Sequence, residues 1–498
     1  MTNNNKTSLI QRIRSAPAPI IYVAGNLFRQ IVGFIMLPLY TQYLTPSDYG
    51  ALGLIAATVA VAETILGAKL GQAVSKFYYD SDSKDYHSSV ITAAFVVSGL
   101  SCFLTVALIF YLSGNISDVL FSGIDNSLLV SACAGQLLTQ TLEYYGLQYI
   151  RIQQKPWAFL WYNLSKLVVQ LTLNILAVVV FELGALGVAL SNLLASSLFA
   201  VLLTLRTGSI VGFSLNLQVA WKMAVFSWPL WFGGLAGIYT HSTSKFFITY
   251  FDSLASVGLL EVASKFAQIL PLLIWTPIMY YWQTERFLIY KQDPHSDRFE
   301  LTYRVVLTLI AATGLAISLL SDPVIRLMSP ETFHGAGQAV PLLVLASIFT
   351  CLTQYSEFSF LAKDRTAIIG RLQYFLAIFV TCMYPLLIPP YGLVGAAAAL
   401  AIASGAVFLI SVLAGRKHAD AGIDLTHSLI MLLIAGVCYY LTSTLADMSG
   451  SMFVDIAWRT LGAVTGSILI AMTLFMYPVS RNYIVEKMLP MLRLRREH

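Results

Sequence analysis

The sequence predicts an all-α polytopic membrane protein of about fourteen transmembrane helices, arranged as two homologous halves. Composition is the first of three supporting observations. Over 498 residues the chain is 57% hydrophobic and only 11% charged; its mean hydropathy is +0.73, whereas a soluble domain carries roughly 25% charged residues. Run length is the second: a spanning helix needs ~20 mostly apolar residues, so this chain can hold a dozen or more. The third is an internal repeat at an offset of 208 residues. Thr41-Gln-Tyr43 and Gly50-Ala-Leu52 recur as Thr249-Tyr-Phe251 and Gly258-Leu-Leu260, Gly184-Ala-Leu-Gly187 recurs as Gly392-Leu-Val-Gly395, and Lys155 pairs with Lys363. Two membrane-embedded halves are the usual plan of a transporter, with the substrate held between them.

The apolar segments fall in order at 17–41, 49–72, 89–113, 127–150, 157–181, 184–205, 222–247, 257–283, 301–320, 336–360, 366–389, 393–414, 427–446 and 454–477. The first is too long for the apolar region of a signal peptide and lacks a small-residue cleavage site after it. Segments five and six are joined only by Glu182-Leu-Gly184, and eleven and twelve only by Pro389-Pro-Tyr-Gly392. Each pair therefore reads as a tight helical hairpin, and the hairpins are repeat equivalents. The expected organisation is a cytoplasmic segment 1–16, an N-lobe 17–205, a linker 206–221, a C-lobe 222–415, two further helices within 416–480 and a basic tail 481–498.

Charge sets the orientation. Of the 30 Lys and Arg, only Arg326 and Arg459 fall in the outer set of loops, and five lie within spans. The rest, including Arg12, Arg14, Arg286 and Arg304, fall in the inner set, which places both termini in the cytoplasm. The net charge of +5 follows from that bias and gives no reason to propose nucleic-acid binding. The longest loop, about 284–300, is charged and on the cytoplasmic side. No outer loop is long enough to form a catalytic domain, so an enzyme is not expected. Cys102, Cys133, Cys351, Cys382 and Cys438 lie in apolar stretches without metal or disulfide spacing and read as packing residues.

The embedded charges are the candidate site. Five basic residues (Arg29, Lys69, Lys166, Lys245 and Lys265) face Glu63, Glu143 and Glu261, with Glu357 nearer a helix end. A charge at the bilayer centre costs ~2.5–3.5 kcal/mol on insertion scales, so such residues usually face an interior or a water-filled cavity. Helical spacing gathers them into stripes. Asn26 and Arg29 share a face, Glu63 lines up with Gly67 and Gly71, and Gln136, Gln140 and Glu143 align. Asn163, Lys166, Gln170 and Asn174 form a three-turn stripe; His241 precedes Lys245 by one turn, and Glu261 precedes Lys265 by one turn. Each has a plainer reading. Glu261–Lys265 can cancel as an i,i+4 pair, Lys69 and Lys245 can snorkel to interfaces, and the Asn/Gln stripes can be interhelical glue. His241 is either an interior hydrogen-bonding residue or a proton relay, and Glu63 and Glu143 are either counter-ions or coupling groups. The interior is slightly cationic and suits an anionic solute such as a phosphate or pyrophosphate on Arg29, Lys166, Lys245 and Lys265.

Four stretches resemble a known family. They are Pro38-Leu-Tyr-Thr-Gln-Tyr-Leu-Thr-Pro-Ser-Asp-Tyr-Gly50, Phe226-Ser-Trp-Pro229-Leu, Ser321-Asp-Pro-Val-Ile-Arg-Leu-Met with Phe333-His-Gly-Ala-Gly-Gln-Ala-Val-Pro341, and Pro389-Pro-Tyr-Gly392-Leu-Val-Gly395. Their order and spacing are similar to the Wzx-type O-antigen flippases, in the polysaccharide transporter branch of the multidrug/oligosaccharidyl-lipid/polysaccharide exporter superfamily. The resemblance implies two six-helix lobes around a central cavity plus two C-terminal helices, in a multi-pass protein of the bacterial inner membrane. It implies alternating access that moves an undecaprenyl-pyrophosphate-linked oligosaccharide to the periplasmic leaflet. No cofactor is expected; H+ or Na+ coupling has Glu63, Glu143 and His241 as candidates. A monomer is the default, and polymerase and chain-length proteins of the same pathway are candidate partners. Many relatives carry an Asp-Arg-like pair late in the seventh helix where this chain has Ser244-Lys245, which speaks against an acidic coupling site there. The competing readings are a peptidoglycan lipid-precursor flippase, a cation-coupled drug exporter, and a membrane glycosyltransferase, polymerase or ligase. The last would need a large outer loop rich in Arg, His or Asp.

Overall fold

The computed structural model describes residues 33–67, 69–121, 123–293, 296–448 and 451–477, with only the backbone at 229–233 and 284. Arg29, Asn26 and the basic tail lie outside the described residues. Everything described is helix and turn, without a strand. The chain packs as two compact units, Met1–Ser242 and Thr243–His498.

In the first unit, α1 covers 33–43 and α2 covers Pro46–Leu66. Local chemistry sets the start of α2. The Thr45 hydroxyl accepts from the Asp48 N–H at 3.1 Å, the Asp48 carboxylate accepts from the Thr45 N–H at 3.0 Å, and Pro46 supplies a fixed φ in the first turn. The helix stops at Gly67 and restarts as α3, Gly71–Phe77. Then come α4 (Lys84–Tyr111), α5 (Ser113–Phe121), α6 (Ser127–Ile152), α7 (Pro156–Ile175, ending in a π turn at Leu176–Val180), α8 (Gly184–Val211) and α9 (Leu217–Phe251). The unit's core joins Leu70, Ala73 and Val74 of the break and α3 to Val90 and Ala93 of α4, Tyr145 and Tyr149 of α6, and Val219 and Met223 of α9. That packing draws the first part of α9 into the first unit, so the division falls inside α9. The stretch 206–221 is itself mostly helical, with only 212–216 between α8 and α9.

The second unit repeats the plan. The Ser253 hydroxyl accepts from the Ser256 N–H at 3.2 Å and starts α10, Leu254–Ala267. A π turn at Pro271–Trp275 leads directly into α11, Thr276–Gln292. Then follow α12 (Asp297–Met328), a 3-10 turn at Glu331–Gln338, α13 (Val340–Ser356), α14 (Thr366–Gly415), α15 (Leu425–Asp447) and α16 (Met452–Met472). The caps at Thr45 and Ser253 are 208 residues apart, as are the hairpin glycines Gly184 and Gly392, at φ 56° and 52°. Lys363 is not the structural counterpart of Lys155. The Lys155 N–H closes a turn on Ile150 O after Gln154 at φ 53°, and the matching turn has Arg365 N–H on Phe360 O after Asp364 at φ 55°. The first unit takes up the two-residue difference in the limb that carries the π turn.

The hairpins are built differently. Gly184 follows a short turn after the π turn, whereas α14 continues through Pro389 and Pro390 and folds back only at Gly392 (φ 52°, ψ −130°). At Gly395 an added methyl would collide with the Leu387 carbonyl; at Gly187 it would crowd Leu183 Cβ (2.9 Å) and Ala177 O (3.1 Å). The second glycine of each GxxG thus lets the returning helix approach the backbone of the outgoing one.

Ten helices among the described residues are long and apolar enough to cross a membrane, α14 counted once although it folds back at Gly392. α6 is helical over 26 residues but more polar, because it carries Gln136, Gln140 and Glu143. The stretch 284–300 is not a long loop: α11 runs to Gln292 and α12 begins at Asp297. Charged residues are good helix formers, so the charge ended the apolar run without ending the helix. Three arginines read as loop residues are buried. Arg286 stacks near Phe358 (5.2 Å), and Arg304 is paired with Glu300 and Asp424. Arg459 holds Asp322 (3.3 Å), Asp447 (3.1 Å) and Asp455 (2.7 Å) and so ties α12, α15 and α16 together.

Candidate functional site

The break between α2 and α3 is the most elaborated site in the first unit. The last α2 bond is Gly67 N–H to Glu63 O at 2.7 Å. Beyond it the freed backbone groups find side chains: Leu66 O accepts from Ser101 at 2.6 Å, and Leu70 N–H donates to the Tyr145 hydroxyl at 2.9 Å. Tyr145 is held in turn by Ser98 at 2.8 Å. Irregular backbone at membrane depth is tolerated only when its polar groups are met in this way or line a polar cavity. Gly71 lies so close to the Tyr144 hydroxyl that a methyl there would collide with it.

Lys69, in the break, turns back and places Nζ 3.4 Å from Glu63 Oε1. A cation just past the end of α2 is also favoured by the helix dipole. Beside this pair lies a cavity of about 430 Å³. Among the described residues that line it, Glu63 and Lys69 are the only charges. Its polar wall carries Gln72, Ser98, Gln140, Tyr144 and Tyr145; Leu137 and Ile238 form part of its apolar wall, and Gly234 of α9 leaves it room.

The sequence-selected residues divide into three groups. Glu63 and Gln140 meet at this cavity. Glu143 and Lys166 meet each other, at 2.5 Å, with side-chain exposures of 9% and 20%. The rest of the α7 stripe turns to neighbouring backbone and helices. Asn163 donates to Phe159 O at 2.7 Å, Gln170 donates to Asn192 of α8 at 2.7 Å, and Asn174 is buried with Oδ1 unpartnered. Gln136 lies half-buried on α6, and His241 is exposed on α9. The α7 stripe therefore works mainly as glue between α6, α7 and α8, and Lys166 enters as half of an ion pair.

The third group lies in the second unit. Lys245 of α9 reaches Glu261 of α10 at 2.5 Å. Glu261 is held from another helix by Lys245; Lys265 lies one turn away on Glu261's own helix. Lys265 is half-buried. The site brings two lysines, Lys245 and Lys265, and the carboxylate of Glu261 together at the α9–α10 junction. The pairs Glu63–Lys69 and Glu143–Lys166 each cancel.

Sequence reasoning missed Gln72, Tyr144 and Tyr145, and it read Lys69 as a snorkelling residue without its pairing to Glu63. On an unbroken helix, residues six apart do not share a face, so Glu63 and Lys69 looked unrelated. The signal was the pair Gly67 and Gly71 bracketing Lys69 in an apolar run, which marks a break.

The model of the family described as "Polysaccharide biosynthesis protein" matches residues 19–281. No curated protein matches the chain in sequence. Among solved structures, the fold is similar to that of the lipid II flippase MurJ in an inward closed conformation. That likeness has a TM-score of 0.71 at 13% identity and covers 92% of this chain and 99% of that one. It is also similar to a multidrug resistance MATE family transporter of the MOP superfamily in an inward-facing conformation. There the TM-score is 0.61 at 14% identity, covering 81% of this chain and 98% of that one. The chain belongs to the polysaccharide biosynthesis protein family and has the fold of MOP-superfamily transporters.

Proposed function

We propose that this protein is a flippase for an undecaprenyl-pyrophosphate-linked oligosaccharide repeat unit, carried from the cytoplasmic to the periplasmic leaflet of a bacterial inner membrane during surface polysaccharide synthesis. The observation that carries this reading is the Lys245–Glu261 ion pair between α9 and α10, with Lys265 one turn along α10 from Glu261. Ammonium groups held in this way form charge-assisted hydrogen bonds with phosphate oxygens. Glu261 keeps Lys245 in place in the unloaded state, and a pyrophosphate competes with it for that lysine. Both termini are placed in the cytoplasm by the distribution of Lys and Arg between loops. The two repeated units supply the halves that alternate access requires. Coupling to H+ or Na+ would act through Glu63, whose lysine partner is the more exposed of the two first-unit pairs.

The test is the lipid-linked glycan pool and surface polysaccharide of a strain lacking the gene, complemented with wild type or with Lys245→Ala/Lys265→Ala. Loss of the polymer with repeat units accumulating on the cytoplasmic side, restored by wild type only, is the expected result. Export at the wild-type level by the double variant, at equal protein level, would sink the cationic cluster as the phosphate site. A second reading, a peptidoglycan lipid-precursor flippase, is favoured by the likeness to the lipid II flippase MurJ. Growth of a strain depleted of its own lipid II flippase, sustained by this gene, would select it.

A further inference from the structure

Beside the α2–α3 break, the cavity has a different chemistry from the lysine cluster, and it bears on what else the substrate presents. This inference rests on the flippase reading above. Its two charges cancel, since Lys69 is paired with Glu63. Among the described residues that line it, no charge is left over for an anion. Neither Gln72 nor Gln140 spends its amide on another described residue, and both are exposed to the cavity. The Tyr144 ring adds an aromatic surface, 45% exposed. Tyr145 and Ser98, by contrast, are committed to each other and to Leu70, which holds the wall rigid. Amides that both donate and accept, a fixed aromatic ring and a volume of about 430 Å³ suit a polyhydroxylated, uncharged ligand, within the roughly 300–1,000 Å³ of small-molecule sites.

We infer that this cavity is a sugar subsite of the first unit, in which the Gln72 and Gln140 amides hydrogen-bond the hydroxyls of an uncharged saccharide packed against Tyr144. The subsite reads the glycan, and the lysine cluster of the second unit reads the phosphate.

The experiment uses the full-length protein in lipid nanodiscs and two soluble probes: the lipid-free repeat-unit oligosaccharide released from the host's lipid-linked pool, and sodium pyrophosphate. Binding is read by saturation-transfer NMR for the sugar and by phosphorus line broadening for pyrophosphate. Gln72→Ala/Gln140→Ala is expected to weaken sugar binding by about tenfold or more, the loss of two modest hydrogen bonds, and to leave pyrophosphate unchanged. Lys245→Ala/Lys265→Ala is expected to do the reverse. Because the two glutamines support no internal bond, unchanged pyrophosphate binding also shows that the variant is folded. Should that variant fail to fold, Tyr144→Ala is expected to give the same sugar-selective loss. Sugar binding that survives both changes overturns the assignment, as does wild-type protein that binds pyrophosphate but no sugar; the latter leaves the flippase reading in place. Sugar bound without pyrophosphate supports the subsite and overturns the lysine cluster as phosphate site. Binding of neither probe overturns both.

Discussion

The second helix of each unit starts alike and ends differently. Thr45 and Ser253 cap α2 and α10 at matching positions, and 22 residues later the chain reaches Gly67 in one unit and Trp275 in the other. Glu63 O and Pro271 O, again equivalent, accept the last bonds, from Gly67 N–H and from Thr276 N–H. After Gly67 the helix breaks, and side chains from α4 and α6 receive the loose backbone. After Pro271 a π turn absorbs the irregularity and α11 continues. Where the first unit has a glycine beside a cavity, the second has a buried indole that donates to Gln354 at 2.6 Å. Equivalent positions of the repeat thus border a ligand-sized space in one unit and solid packing in the other. The repeat conserves the framework, but it does not conserve the site.

Substitutions on the two sides of the repeat separate these roles. Trp275→Ala should be the most damaging. It removes a large buried side chain and orphans Gln354, for about 3–5 kcal/mol, measured as a lowered midpoint of thermal unfolding in detergent. Gly234→Phe, in the open wall of the first-unit cavity, should leave that midpoint nearly unchanged while export falls. If both variants behave alike, the cavity is ordinary packing space.

Next in size is Glu143→Ala, which leaves Lys166 buried without its partner. Breaking a buried pair costs about 3–5 kcal/mol, less here because Lys166 keeps a fifth of its surface exposed. The double change Glu143→Leu/Lys166→Leu should recover most of the loss in the same unfolding assay. If it recovers stability and export together, this pair is structural and the substrate cations lie elsewhere.

The hairpins offer a smaller comparison. Gly395→Ala forces a methyl against backbone and should cost toward the upper end of about 1–3 kcal/mol. Gly187→Ala, whose nearest neighbours include the more yielding Leu183 side chain, should cost less. Equal membrane yields by immunoblot would contradict that ordering. Smallest are the caps: Thr45→Ala and Ser253→Ala should each lose about 1 kcal/mol, Thr45 more because its cap is reciprocal.

Much of this molecule was legible in the sequence. Apolar runs and the hairpin glycines act over a few neighbouring positions, so Gly184 and Gly392 announced their turns and kept the 208-residue register, whereas the caps at Thr45 and Ser253 emerged only with the structure. The class of transporter fold was legible for the same reason. What the chain alone left undecided was which charge meets which. Glu143 meets Lys166 across α6 and α7, Glu261 meets Lys245 across α9 and α10, and Arg459 gathers carboxylates from three helices. Such pairs depend on how helices are placed and rotated in space, information that periodicity along one helix does not hold. Lys69 shows this most sharply: the break at Gly67 redirects it onto Glu63, and only the packing of α4 and α6 around that break turns two distant-looking residues into the edge of a cavity.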